Sequence, residues 1–232
     1  MASITAENYL KAIYSMQLES GETLVSTGKI AAALNVTPGT VTSMMKTFAD
    51  AGLLSYTPYS GVELRENGLE IARRVLRRHR VVELFLVEVL GMDWSEVHHD
   101  AEVLEHAVSD GIIERMDEML GRPRFDPHGD PIPTAQGTMV ETNFPSLLTC
   151  PLETPLRIAR VLDQNAGFLR FLEEHRLMPG NELTVRERRE EIDTIRLETP
   201  GGATFNLGFR AAGKILVEPQ GEQSGPPPRE SS

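Results

Sequence analysis

Residues 26–52 read STGKIAAALNVTPGTVTSMMKTFADAG, and the fold turns on how this stretch divides. Ser26 is a residue type that accepts a backbone N–H at a helix start, and the short run behind it carries Ile30, Ala31 and Leu34 at helical spacing. Asn35-Val36 then turns the chain. Thr37-Pro38 opens another helix with the N-cap residue and first-position proline that helices prefer. That helix runs to Ala51, and Gly52 ends it. A short helix, a four-residue turn and a second helix make a helix-turn-helix.

The flanks extend the motif. In residues 5–20, Tyr9, Leu10, Ile13, Tyr14 and Met16 form one helical stripe that Gly21 terminates. Leu53–Thr57 and Val62–Leu64 alternate like strands around Pro58-Tyr59-Ser60-Gly61, a hairpin turn. Residues 1–66 therefore read as a winged helix-turn-helix domain, in which the second helix of the motif enters the major groove of double-stranded DNA. The candidate DNA contacts are Thr37, Pro38, Gly39, Thr40, Thr42, Ser43 and Lys46 on that helix, with Thr27 and Lys29 before it. Short hydroxyls can meet phosphates or a thymine methyl, and N–H groups at a helix start favour phosphate. Val41, Met44, Met45 and Phe48 supply the core side. Winged helices also serve as protein–protein modules, but Lys29, Lys46 and the arginine cluster downstream favour DNA.

Residues 67–140 read as a helical domain. Apolar residues from Leu69 to Val89 repeat along one long helix, basic in its first half (Arg73, Arg74, Arg77, Arg78, Arg80) and carrying His79 and Glu83 in its second. Asp93-Trp94-Ser95-Glu96 has the form of a capping box and is expected to start the next helix. Gly111 is expected to break the chain before a helix over Ile112–Leu120. The helix between holds His98-His99-Asp100-Ala101-Glu102-Val103-Leu104-Glu105-His106. Residues three or four apart share a helix face, which puts His98, Glu102 and His106 in one row with Glu105 beside it. Imidazole and carboxylate groups so gathered suit Mn(II), Fe(II) or Zn(II). A solvated acidic face with incidental histidines is the plainer reading, and the density of ligand types argues against it. The apolar surface of these helices predicts a homodimer.

Residues 121–146 are rich in Pro and Gly and read as connecting chain, with the linker between domains set at 141–149. Short strands at Leu156–Val161, Leu183–Val185, Ile195–Leu197, Thr204–Asn206 and Ile215–Val217, with a helix over Phe168–Arg176, predict a small, partly open β-barrel over 150–218. Residues 219–232 are polar and Pro-rich and predict a disordered tail. The fold class expected is thus mainly α with small β parts.

Composition agrees with that division. The chain has 232 residues, 40% of them hydrophobic, and a formal net charge of −11. Residues 1–80 hold nine Lys/Arg against seven Asp/Glu, and residues 81–232 hold 14 against 27. A nucleic-acid-facing front and an acidic back would produce this asymmetry. Cys150 is the only cysteine, which excludes an intrachain disulfide and a Cys-rich zinc module. No run approaches the roughly 18 apolar residues of a membrane span, and MASITAENYL has no basic-then-apolar leader, so a cytoplasmic protein with no membrane partner is expected.

Taken together, TAENYLKAIY (5–14), RRHRVVE (77–83), HHDAEVLEH (98–106) and FDPHGDPIP (125–133) resemble the metal-dependent repressors of the diphtheria toxin repressor and manganese transport regulator type. The resemblance is strong over about 3–135. It is weaker over 150–218, which it likens to that family's SH3-like C-terminal domain. It implies a primary metal site made by Asn8, Glu102, Glu105 and His106, and a second made by His79, Glu83 and His98. It also implies a contribution from the C-terminal domain near Asp163 and Gln164. The iron branch typically has Cys at position 102 and the manganese branch Glu, so Glu102 looks manganese-like. The manganese branch has Asp at the position of Asn8 and Glu at that of Lys11, which puts a two-metal primary cluster in doubt.

The resemblance thus implies a Mn(II)-dependent DNA-binding regulator, with some response to Fe(II), acting as a repressor on a palindromic operator. Metal would remove carboxylate repulsion and fix the helix-turn-helix for binding as a dimer. Two rivals are a metal-independent DNA-binding dimer whose site has decayed, and a metal-dependent hydrolase. No separate nucleophile or general base stands out for the latter, so no enzyme is expected.

Overall fold

The computed structural model describes residues 3–220, which form two compact units, 3–79 with 133–138 and 80–132 with 139–220. The expected tail therefore lies mostly outside the described residues; Pro219, its first residue, ends a strand.

The first unit contains helices α1 (Ile4–Ser20), α2 (Thr27–Ala33) and α3 (Pro38–Asp50), strands β1 (Leu54–Thr57) and β2 (Gly61–Leu64), and the start of α4 (Glu66–Glu88). Each of the first three helices is capped by a side-chain hydroxyl: Ser3 accepts from the N–H of Ala6, Ser26 from Lys29 and Thr37 from Thr40. Gly21 and Gly52 leave α1 and α3 with φ of 69° and 73°, which costs glycine little. The β1–β2 hairpin is antiparallel, pairing Leu54 with Leu64 and Thr57 with Gly61. Leu10, Ile13, Ile30, Val41, Met45, Leu54 and Val62 are fully buried, and Tyr9 meets Phe48 edge-on at 5.9 Å. This is a helix-turn-helix with a wing. Met44, expected in the core, is half-buried.

The second unit takes the rest of α4, then α5 (Val97–Ala107) and α6 (Asp110–Met119). Two expected boundaries move. Asp93 does not cap α5: its carboxylate accepts the N–H of Ser95 at 2.8 Å and its carbonyl that of Glu96, forming a turn, and α5 starts at Val97 without a side-chain cap. Gly111 lies inside the first turn of α6, and the break falls at Val108–Ser109.

The remainder is a five-stranded antiparallel sheet in the order β6-β5-β4-β3-β7. Its strands are β3 (Pro155–Val161), β4 (Glu182–Arg189), β5 (Thr194–Glu198), β6 (Thr204–Gly208) and β7 (Ile215–Pro219), joined by α7 (Ala166–Glu174) and α8 (Phe209–Ala212). Asn165 caps α7, which starts at Ala166, two residues before the expected start. Among the described residues no ladder joins the edge strands β6 and β7. Leu156, Ile158, Leu172, Val185, Leu197 and Val217 fill the core beneath, and Trp94 packs into the same cluster.

The reading of 121–146 as connecting chain is wrong for its first half. Phe125 and Ile132 are buried, and so are Asp126, His128 and Asp130 between them. The segment folds back on itself through a Phe125–Pro131 bridge and docks on β3, where Val161 donates to the carbonyl of His128 at 2.9 Å. Gly129 has φ of 87°, and any Cβ there would overlap the Ala159 carbonyl.

Candidate metal centre

Glu83 is the hub. It is fully buried on α4, and its Oε1 lies 3.0 Å from Nδ1 of His98, a residue half exposed at the start of α5. On α5 the spacing works as the sequence implied: His98 Nε2 is 3.7 Å from Glu102 Oε1 one turn on. Glu105 is fully buried and lies 3.1 Å from Nε2 of His106. His99 and Asp100 face solvent and join neither group. Because α4 is unbroken, His79 is held one turn before Glu83. Its imidazole comes within 4.8 Å of donor atoms of Glu83 and His98 and, in another trio, of Glu102 and Glu105. Asn8 is half-buried on α1, beside buried Glu7 and Lys11.

A third trio was missed. Glu83, Asp126 and His128 are all buried and place one donor atom each within 4.8 Å of one another. The loop geometry prepares them. Asp126 Oδ1 accepts the N–H groups of His128 and Asp130, at 2.8 and 2.9 Å. His128 Nε2 lies 3.0 Å from the Trp94 carbonyl, which can only accept, so Nε2 carries the proton and Nδ1 the lone pair when the ring is neutral. The ring stacks on Trp94 at 5.5 Å. A backbone carbonyl that fixes the far nitrogen is the usual support of a metal-ligating imidazole. Burial, with Asp130 and Glu83 nearby, pushes the Asp126 carboxyl up to about 8, only partly opposed by Arg80. A buried carboxyl that desolvation and neighbouring carboxylates keep protonated is chemically fitted to a cation.

Asp163 and Gln164 have other partners. Lys214 takes the Asp163 carboxylate, lowering its pKa, and Gln164 Nε2 donates to Asp130 Oδ2 at 3.2 Å. Asp130 also gathers Arg80, at 3.4 Å, and Arg160. The signal available in the sequence was the alternation Asp126-x-His128-x-Asp130, three metal-ligand types in a loop that composition labelled as connecting chain.

On the DNA side, Thr37, Pro38, Gly39, Thr40, Ser43 and Lys46 are exposed, Lys29 is exposed on α2, and Thr27 and Thr42 are half-buried.

A winged helix joined to helices that carry buried carboxylate and imidazole clusters defines a metal-responsive DNA-binding protein. Comparison with known proteins agrees. Residues 1–62 match the iron dependent repressor N-terminal DNA binding domain, 65–134 the iron dependent repressor metal binding and dimerisation domain, and 146–219 the FeoA domain. Iron-dependent repressor IdeR of Mycobacterium tuberculosis is 36% identical over 226 residues, 92% of this chain and 96% of that one. HTH-type transcriptional regulator MntR of Listeria monocytogenes is 34% identical over 145 residues, 62% of this chain and 97% of that one. A solved manganese-dependent transcriptional repressor in complex with manganese superposes with a TM-score of 0.84 at 38% identity, covering 92% of this chain and 99% of that one. The chain belongs to the family of metal-dependent transcriptional repressors that contains IdeR and MntR. It is a DNA-binding repressor and not an enzyme, and its matched domains imply a DNA operator and a homodimer. No helix of the described residues is long and apolar enough to cross a membrane.

Proposed function

We propose that the chain represses metal-homeostasis genes in response to Mn(II), with a secondary response to Fe(II), by binding a palindromic operator as a homodimer in the cytoplasm. The observation that carries the metal assignment is the donor set. Glu102 stands where the family resemblance implies a cysteine in the iron branch, and Glu83, Asp126, Glu105 and the histidines add only carboxylate oxygen and imidazole nitrogen. Hard oxygen with some imidazole suits Mn(II) better than a sulfur-containing set does.

Two loci follow. Asn8, Glu102, Glu105 and His106 make one. Glu83 anchors the other, with His79 and His98 on one side and Asp126 and His128 on the other. A divalent cation would relieve the repulsion among these gathered carboxylates. Asn8, on α1, is the residue through which the metal locus would take hold of the DNA-binding domain. Val89, Leu90, Val103, Ile112 and Met119 are exposed on the α4 end, α5 and α6, and they supply the apolar face for a second copy.

The test is an electrophoretic mobility shift on DNA upstream of the protein's own gene, with chelator or with Mn(II), using wild type, Glu102→Ala and Glu102→Cys. Mn(II) should tighten wild-type binding about tenfold or more, a coupling within the usual range for linked sites. Glu102→Ala should lose that gain, and Glu102→Cys should shift the response toward Fe(II) or Co(II). Equal affinity in chelator and in Mn(II) would establish the metal-independent alternative.

A further inference from the structure

Helix α3 carries four hydroxyl side chains beyond its cap, at Thr40, Thr42, Ser43 and Thr47, and their protons are not equally available. Thr42 Oγ1 donates to the Pro38 carbonyl at 2.9 Å, and Thr47 Oγ1 to the Ser43 carbonyl at 3.2 Å. Thr40 Oγ1 lies 2.9 Å from Thr37 Oγ1, which also accepts the N–H of Thr40 at 3.2 Å. The exposed hydroxyl of Ser43 takes part in none of these bonds.

That inventory limits what the helix can say to DNA. The acceptors that line the major groove (guanine N7 and O6, adenine N7, thymine O4) need a donor. A threonine has one proton to donate; at Thr47 it is committed to the helix, and at Thr40 the hydroxyl is engaged by Thr37 whichever of the two donates, which leaves the γ-methyl as the group a partner meets. Thr40, Ser43 and Thr47 follow at i, i+3 and i+7 on one face, away from the buried Val41, Met45 and Phe48. Thr40 and Thr47 are both exposed, about 10.5 Å apart along the axis. Two methyls thus flank one free hydroxyl over a length of about three base steps.

We infer that α3 selects its operator by apolar contact between the methyls of Thr40 and Thr47 and thymine C5-methyl groups. Ser43 is the one hydroxyl of this row that donates to a base. Lys46, exposed one turn beyond Thr42, serves the phosphates.

The test removes methyls one at a time from either partner. Binding sites are selected from a random duplex library with Mn(II)-loaded protein. The selected duplex is then remade with deoxyuridine replacing each thymidine in turn. Each thymine that is read should cost wild type about fourfold in affinity when its methyl is deleted, the effect of exposing one methyl-sized group. Thr40→Val keeps the methyl and loses the hydroxyl, so it should bind as wild type does and show the same uridine penalties. Thr40→Ser should lose about fourfold on the thymidine duplex and become indifferent to uridine at the position it faces. Thr47→Val and Thr47→Ser repeat the pair, and thermal melts establish that all four variants fold. Uridine duplexes that bind as tightly as thymidine ones would overturn the inference. So would a Thr40→Val that loses selectivity while Thr40→Ser keeps it, since the hydroxyl would then be the reader. A protein that selects no duplex with Mn(II) or Fe(II) would overturn the metal-activated reading as well, and that outcome differs visibly from selective binding without a methyl effect.

Discussion

Glu83 is shared by two candidate ligand sets built on opposite plans. The outer set, His79 and Glu83 on α4 with His98 on α5, is a product of helical spacing, and His98 is half exposed. His98 reaches solvent while His79 and Glu83 are buried, and their alignment depends on how α4 and α5 pack. In the inner set, Asp126 and His128 come from a buried loop, and each is oriented by hydrogen bonds made without a ligand. The outer set can exchange a cation readily. The inner set is shaped in advance and holds a proton on Asp126, so a cation bound there would displace that proton. On the proposed reading, sensing would fall to the outer set and retention to the inner one.

Removing the shared residue breaks both, and the largest effect is expected there. Glu83→Ala should abolish Mn(II)-stimulated operator binding, a loss of tenfold or more on the coupling scale above. It should also lower the metal bound per chain in equilibrium dialysis by more than His98→Ala or Asp126→Asn does. Full Mn(II) stimulation in Glu83→Ala would place the switch at Glu102, Glu105 and His106 alone.

The inner set has a pH signature in the metal-free protein. The Asp126 carboxyl is pushed up to about 8, from an ordinary value of 3.8 that the unfolded chain retains. Between those limits the folded state holds a proton that the unfolded state has lost. Stability is then complete below about pH 4 and falls as pH rises, by at most about 1.4 kcal/mol per unit, levelling off above the folded value. Asp126→Asn keeps an oxygen for the two loop N–H groups and carries no charge. It should match wild type near pH 4 and exceed it by about 1–3 kcal/mol at pH 8 in chelator. Saturating Mn(II) should reverse the order. Parallel urea-unfolding curves for the two proteins from pH 5 to 8 would show that Asp126 is ionised in the fold.

The same contrast explains what could be read in advance. Ser26, Thr37-Pro38 and Gly52 act within a few residues of themselves, and each caps or ends a helix where the sequence placed it. The outer ligands follow from a helical repeat, and the family resemblance gave them roles. The inner ligands depend on partners far along the chain. Trp94 holds His128, β3 receives Gly129, and Arg80 and Arg160 close on Asp130. Pro and Gly are as frequent in a packed loop as in a solvated one, so composition could not separate the two. Asp93 was misjudged for a related reason: its carboxylate has a nearer N–H at Ser95 and uses it in a turn.

The smallest effect concerns how the inner loop is held to the sheet domain. Two ion pairs cross to the neighbouring segments of this unit, and they differ chiefly in exposure. Arg160 on β3 meets Asp130 with side chains 17% and 7% exposed, whereas Arg170 on α7 meets Glu96 at 3.2 Å with 52% and 64%. Arg160→Gln should cost about 2–3 kcal/mol, below the full penalty for an orphaned buried charge, since Arg80 and Gln164 still serve Asp130. Arg170→Ala removes a pair that water screens and that two long side chains must be ordered to make. Its cost should be about 0.5 kcal/mol or less at low salt, and it should vanish in 1 M salt, where the Debye length shrinks to roughly 3 Å. Denaturant unfolding of both variants at the two ionic strengths is the measurement. Equal costs for the two arginines would mean that the loop is held by charge at the rim of the sheet domain, and the preorganisation attributed to Asp130 would fail.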